Sequence, residues 1–551
     1  TAISIMEEAA PSLETATATS GDNLHRWAML AGLLLAFSEM LVRLFSGKDV
    51  VDAIWPHAVR SLEWTMTLRS SPILTLTLFV GAGLAGYGLR TAVSKGQGQR
   101  PWLLLPYGGL GLLLGLICLH ILLDVFYLRG AFLLLPTLMG WTLACLLIAL
   151  GGPPTLRYPG EQRMAASRVI HMVSVFFAAW LVMPGIPAVI GYAPTPPDAP
   201  AMGYGSFPGP YTVEQYRFPF ELPEEVMAVQ GNLEDDVEWS VYITLPEFPD
   251  DSPVTHVPLA ILLHGFSYPD INAYQGWITH LTAKGMAVAF IQYPSDIRPD
   301  GHEEHEATYE AGMSDYLQHT YRDLAIRAGM DHVSDVLLDS SRAPEIDAHL
   351  GEVVVDPTTL WTGGHSLGAS YTFLTLNSAF ERGWGSHALV VALEAPASRP
   401  MQATLQPNLT GMPDQTLVQI GVPQDDMSVG LCPGAFHQQV FAELPEERNQ
   451  LIEIQSDHYG FPRMVASHYL QTDPVRDSLA DWSFYRRIDA QADFLVAHGR
   501  NDTFTADWAF QYMTDETMLT GMGEWSDGTP VLPLIWHRDA INSVSKFDAC
   551  A

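Results

Sequence analysis

The chain has 551 residues, with 28 basic and 61 acidic side chains and a formal charge of −33. That charge argues against direct binding to nucleic acid or anionic lipid headgroups, and four cysteines without a CxxC pair exclude a disulfide scaffold or a zinc ribbon. A hydrophobic content of 48% is too high for a disordered chain, yet mean hydropathy is +0.11 despite the charge, so apolar and acidic residues must occupy different stretches. Up to Tyr192 the chain carries 12 basic and 10 acidic residues; beyond it the counts are 16 and 51.

Residues 1–24 form a polar, acidic tail without the apolar core of a cleavable signal, and a first residue of Thr1 reads as numbering that begins after a removed methionine or leader. Residues 25–192 read as a transmembrane helical domain of about five spans. Pro72–Leu89, Pro101–Leu123, Ala131–Leu150 and Val169–Ile190 are uncharged and near the ~20 residues that a bilayer requires. Trp27–Phe45 is the weaker fifth, because Glu39 and Arg43 interrupt it; four apart, they share a helix face and can neutralise each other. Arg90, Lys95 and Arg100 in one loop and Arg157, Arg163 and Arg168 in another place both loops, and the N-terminus, on the cytoplasmic side. Arg43, Lys48, Arg60 and Arg69 in the first external loop run against that assignment. The expected product is a multi-pass membrane protein whose remainder faces away from the cytoplasm.

Residues 193–220 are rich in proline and glycine and read as a stiff linker. From there to residue 551 short apolar runs alternate with helical stretches. Ser240–Leu245, Leu259–Leu263, Ala287–Gln292, Leu360–Gly363, Leu389–Glu394, Leu417–Gly421 and Gln450–Gln455 are the predicted strands, and buried runs bracketed by amphipathic segments imply a mostly parallel sheet covered by helices. The long interruption from Asp296 to Pro357 offers a crossover helix and a lid.

The chemistry centres on Gly364-His365-Ser366-Leu367-Gly368, a G-x-S-x-G sequence between a predicted strand and a predicted helix. Gly364 and Gly368 allow the sharp turn that lifts the Ser366 hydroxyl clear of the backbone. A serine needs a base to take its proton and a carboxylate to orient that base. Asp426 and His458 follow the next suitable strands and are the expected acid and base, with Asp425 as rival acid and His468 as alternative base. Asp502 and His537 would form a competing triad, although Asp481–His498 reads as a helix rather than a strand. The oxyanion hole is expected from the backbone N–H groups of Leu367 and Phe266, the latter following His264-Gly265.

His264-Gly265-Phe266, Gly364–Gly368, Asp426 and His458 resemble the α/β-hydrolase superfamily, most closely its dienelactone-hydrolase, cutinase and chlorophyllase-like esterase branch. Tyr274–Leu281 and Glu524–Pro530 resemble uncharacterised bacterial members, and the resemblance covers about Glu221–Leu534. It implies an α/β-hydrolase domain that cleaves esters through an acyl-enzyme, with no metal or organic cofactor. The sequence departs from the chlorophyllase-type elbow at Leu367 and Ala369, which speaks against chlorophyll as substrate.

The expected function is thus a membrane-anchored serine hydrolase acting on hydrophobic or lipid-like esters. The alternatives are an accessory subunit of a membrane complex that keeps the fold, since five spans exceed what tethering needs, and an acyltransferase with the same triad. The expected partners are a hydrophobic ester, the bilayer and integral-membrane subunits, with no nucleic acid. Cys432 and Cys550 both fall in the external part, where a disulfide could tie down the C-terminus. With Lys284 and Lys546 the only lysines beyond Tyr192, self-repulsion of the acidic part should be relieved by salt. A saline exterior is therefore expected, and unfolding midpoints across a salt titration should rise with ionic strength; a maximum in dilute buffer would refute it.

Overall fold

The computed structural model describes residues 20–46, 53–54, 104–127 and 194–550, apart from 230–237, 250, 267, 296, 298–316, 339–341, 398–408, 427, 458 and 461–463. The chain divides into two compact units, the second holding the residues from Pro187 onward.

In the first unit, α1 (Ser20–Phe45) and α2 (Leu104–Tyr127) pack backbone to backbone. A Cβ at Gly32 would collide with the carbonyl of Gly108, and one at Gly111 with that of Met29; one at Gly115 would meet Ala36 Cβ at 2.5 Å. Small residues at such spacing let two helices approach closely, as in membrane helix pairs. Glu39 and Arg43 do pair along α1, at 3.7 Å. Among the described residues one helix, Trp27–Phe45, is long and apolar enough to cross a bilayer, and Tyr107–Leu116 is a shorter apolar stretch. The expected spans Pro72–Leu89, Ala131–Leu150 and Val169–Ile190 lie outside the described residues, so a five-span bundle remains an expectation. The tail expected over residues 1–24 ends sooner, because α1 begins at Ser20.

The second unit is built on one nine-stranded sheet in the order β1-β2-β4-β3-β5-β6-β7-β8-β9. All seven predicted strands are present: β2 (Ser240–Glu247), β3 (His256–Leu263), β4 (Ala287–Ile291), β5 (Val354–His365), β6 (Ala388–Glu394), β7 (Thr416–Pro423) and β8 (Asn449–Ile454). β4, β3, β5, β6, β7 and β8 run parallel. Their central residues are continuous apolar runs because both faces are covered. Leu259, Ile261 and Leu263 enter the core on one face, with Ala325 and Ile326 of α4 (Leu317–Val333) and Tyr371 and Leu374 of α5 (Leu367–Glu381). Ala260 and Leu262 point the other way, towards Trp277 and Leu281 of α3 (Gln275–Ala283) and Ile488 and Leu495 of α7 (Arg486–Gly499). Helix α6 (Cys432–Val440) closes the first face beyond β7.

Two strands were not predicted. β1 (Thr212–Pro219) lies within the expected linker, pairs antiparallel with β2 and is mostly exposed, so it lacks the apolar run that marks the buried strands. β9 (Ile535–His537) has only three residues and adds antiparallel to β8. The remainder of the proline-rich stretch is strapped to the domain: Trp482 Nε1 donates to the Asp198 carbonyl at 2.8 Å, and the Gly205 N–H to Asp489 at 2.7 Å.

Cys432, opening α6, is disulfide-bonded to Cys550 across a separation of 118 residues. Cross-linking a loop of that length restricts the unfolded chain, an effect worth about 2–5 kcal/mol in comparable cases. Reduction, or Cys432→Ser, should lower the denaturant midpoint of the second unit accordingly; an unchanged midpoint would show that the bridge contributes nothing.

Candidate active site

The site forms where the chain reverses its direction of travel across the sheet. After β3 the chain passes to β4 on one side and then returns to β5 on the other, and the carboxyl ends of β3 and β5 flank the resulting crevice. Gly363 and Gly364 of β5 lie opposite Leu262 and Leu263 of β3. The sequence His264-Gly265-Phe266 and the serine turn are therefore brought together by strand register.

Ser366 occupies φ 57°, ψ −119°, a conformation that side-chain-bearing residues avoid. Its N–H donates to the Glu394 carbonyl at 2.9 Å, and its carbonyl accepts from Ser370 at 3.2 Å and Ala397 at 3.1 Å. The two glycines are required by crowding. A Cβ at Gly364 would stand 2.6 Å from the Gly368 carbonyl carbon and 2.7 Å from the Leu263 oxygen, and one at Gly368 would collide with the carbonyl oxygens of Leu263 and His264. Ser366 is the residue before α5, but its side chain makes no capping bond to the helix. Its Oγ is instead 2.9 Å from His468 Nε2, while Leu367 begins the helix with the unpaired type of N–H found in a first turn.

The imidazole beside Ser366 therefore belongs to His468 and not to the expected His458, which lies outside the described residues. The cause is the path of the chain after β8. Asp457 and Met464 exchange backbone hydrogen bonds of 2.8 and 2.9 Å, which sets Met464 beside the residue that follows Ser456. Beyond that bridge the Ala466 N–H donates to Ser456 Oγ at 2.8 Å, and its carbonyl accepts from the Asp425 N–H at 2.9 Å. The histidine that meets the serine is thus the one after the Asp457–Met464 bridge, whereas the order of residues points to the first histidine after the strand.

Asp426, after β7, is 2.7 Å from His468 Nδ1 through Oδ2, and its Oδ1 accepts from the N–H groups of Ser428 and Val429 at 2.9 and 3.0 Å. Burial alone would raise its pKa; the facing His468 and the two backbone donors outweigh burial and hold the carboxyl below its ordinary value. With the folded value depressed, the stabilisation is fully present above the unfolded value of roughly 3.9 and is lost as pH falls through the folded one. Asp425 points elsewhere, accepting from Ser456 Oγ at 2.7 Å. The competing triad is not assembled: Asp502 caps α8 (Thr503–Thr514) through the Thr505 N–H, and His537 on β9 is 2.9 Å from Glu453.

Two further features around the serine are not assigned by sequence alone, and the first lies in the loop after β3. Tyr293 N–H donates to His264 Nε2 at 3.1 Å, so the proton of this imidazole sits on Nδ1 and is donated to the Gly265 carbonyl at 2.7 Å. Burial pushes His264 down to about 4, which keeps it neutral. In a trans peptide the C=O and the following N–H point in opposite directions, so anchoring the Gly265 carbonyl also fixes the Phe266 N–H. A Cβ at Gly265 would lie 3.3 Å from Ser366 Cβ. The Phe266 ring, partly exposed, lies 5.9 Å from the buried guanidinium of Arg322, which also donates to the Tyr371 hydroxyl at 2.9 Å. The second feature is His365 at the end of β5, buried behind the serine, with Nε2 2.8 Å from the His468 carbonyl.

No family model and no curated protein matches the chain. Solved structures similar to it include a thermostable esterase from Pseudomonas putida, 12% identical with a TM-score of 0.31 over 52% of this chain and 83% of that one. One of two fungal esterases from Rhizomucor miehei is 13% identical, with a TM-score of 0.31 over 54% and 86%. An acylaminoacyl peptidase is 12% identical, with a TM-score of 0.26 over 42% and 35%. Likenesses this distant carry no inference about activity, which must come from the site itself. If this site hydrolyses esters, the geometry predicts that His468→Ala and Asp426→Asn lower kcat by three orders of magnitude or more, while His458→Ala and Asp425→Asn stay within about tenfold of the unsubstituted chain. The reverse pattern in steady-state assays would reinstate His458 as base.

Proposed function

We propose that this chain is a membrane-anchored serine hydrolase that cleaves carboxylic esters through an acyl-enzyme. The observation that carries the reading is the continuous contact Ser366 Oγ–His468 Nε2 at 2.9 Å and His468 Nδ1–Asp426 Oδ2 at 2.7 Å. Ser366 Oγ attacks the ester carbonyl carbon while His468 Nε2 takes its proton. The imidazolium so formed faces Asp426, which stays ionised and stabilises it. Negative charge then collects on the former carbonyl oxygen, where the N–H groups of Leu367 and Phe266 receive it. Loss of one such donor typically costs on the order of 3 kcal/mol of transition-state stabilisation. When the intermediate collapses, His468 returns the proton to the departing alkoxide and an acyl-serine remains. Water, deprotonated by the same imidazole, releases the carboxylic acid and restores Ser366.

The helix Trp27–Phe45 supports anchoring to a bilayer. The Cys432–Cys550 disulfide supports a location outside the reducing cytoplasm. A hydrolase held at a membrane meets hydrophobic, lipid-like esters, and integral-membrane partners would make use of further spans. The full chain in mild detergent, treated with a fluorophosphonate probe, should be labelled, and Ser366→Ala should abolish labelling. An unlabelled native chain would instead favour an accessory subunit that keeps only the fold.

A further inference from the structure

The residue between Gly364 and Ser366 sits where the three functional loops meet. His365 is buried, 1% exposed. Its Nε2 is 2.8 Å from the backbone carbonyl of His468, and a carbonyl can only accept, so Nε2 carries the proton. Burial first, and then the neighbouring His468, push the pKa of His365 down to about 3, so the ring is neutral and Nδ1 offers a lone pair. The hydroxyl of Tyr274 lies 3.4 Å from that Nδ1 and accepts the Gly265 N–H at 2.9 Å. All the donors therefore run in one sense. The Gly265 N–H donates to Tyr274, the Tyr274 hydroxyl donates to His365, and His365 donates to the His468 carbonyl.

We propose that His365 is a positioning residue that, with Tyr274, locks the oxyanion-hole loop and the base-bearing loop to the serine turn as one hydrogen-bonded unit. The proposal rests on reading Ser366 as nucleophile. Its physical basis is separation of roles. The serine–histidine contact fixes one atom pair, but the reaction also requires the Phe266 N–H, set by the peptide that His264 anchors at Gly265, to stand in a constant relation to the His468 imidazole. These two groups lie on loops after β3 and β8, which are not neighbours in the sheet. Loops so far apart in the sheet order share no backbone ladder and need a side chain to connect them. His365 extends from the elbow between them, and its ring stands with centroids 4.8 Å from His468 and 5.8 Å from Tyr469. Hydrogen bonds aligned head to tail in a buried site polarise one another, so removal of one link weakens the others. No proton moves through the chain during the reaction, because the carbonyl at its end cannot release one.

The test uses the full chain in detergent with a p-nitrophenyl ester. His365→Phe should lower kcat at least thirtyfold with KM within threefold, and His365→Gln, which can still donate towards the carbonyl, should recover at least a third of the lost logarithm of rate. Tyr274→Phe should lower kcat by itself, and the double variant should be no slower than His365→Phe alone by more than threefold. Loss confined to KM, no recovery with Gln, or additive losses would each overturn the proposal. Hydrogen exchange gives a readout independent of turnover. His365→Phe should raise exchange in both 264–268 and 464–470; a rise in one segment only, or in neither, also overturns it. If the native chain neither hydrolyses the ester nor reacts with fluorophosphonate, the nucleophile reading fails, and the exchange result alone decides whether the two loops are linked.

Discussion

A serine held at φ 57° and ψ −119° persists only where its surroundings over-determine it, and most of the second unit can be understood as that surrounding. The strain is contained by three backbone hydrogen bonds from Ser366 to the flanking chain and by the two glycines that let α5 sit against the end of β3. Each depends on parallel strands placed in exact mutual register, since Gly364 must face Leu263 for the close approach to occur. The parallel core is buried on both faces and resists sliding, because a one-residue slip would exchange the two sets of apolar side chains. The hydroxyl's position is thus inherited from the packing of a sheet far larger than the site.

Beneath the turn lies a second constraint, electrostatic in origin. Glu394, whose carbonyl receives the Ser366 N–H, extends its carboxylate to Arg487 of α7 at 2.8 Å, with both side chains fully buried. Burial raises the Glu394 pKa and Arg487 pulls it back. Gly421 on β7 leaves the room, since a side chain there would collide with that carboxylate. A buried ion pair is a weak source of net stability but a severe one to break, because either partner left alone is an uncompensated charge. The pair therefore ties β6 to α7 under the elbow, and Gln471, 3.3 Å from the same carboxylate, ties in the chain just beyond His468.

The strand pattern was legible because six of the seven predicted strands belong to the parallel core, where burial on both faces writes continuous apolar runs. β1 and β9 escaped for the opposite reason: one is an exposed edge with alternating polar residues, the other a three-residue addition. Ser366, its flanking glycines and an acid at Asp425 or Asp426 could be read from local spacing alone. His468 stands second to His458 in the sequence, since nothing in the spacing shows that Met464 pairs with Asp457. Asp425 and Asp426 were separated only by direction, one turning to Ser456 and the other to His468.

What the amino-acid order determined, then, was whatever is encoded within a few residues: the apolar runs, the G-x-S-x-G turn between strand and helix, and an apolar first part set against an acidic second. Each is a local property, since side-chain periodicity and the freedom of glycine act over one turn or one strand. What only the tertiary structure decided was which histidine meets the serine, that Cys432 reaches Cys550, that the proline-rich strap lies on the domain, and that His365 meets the His468 carbonyl. These are meetings between residues distant in the chain. Their partners are chosen by strand order and loop path, which the packing of the whole domain sets and no short stretch of sequence contains.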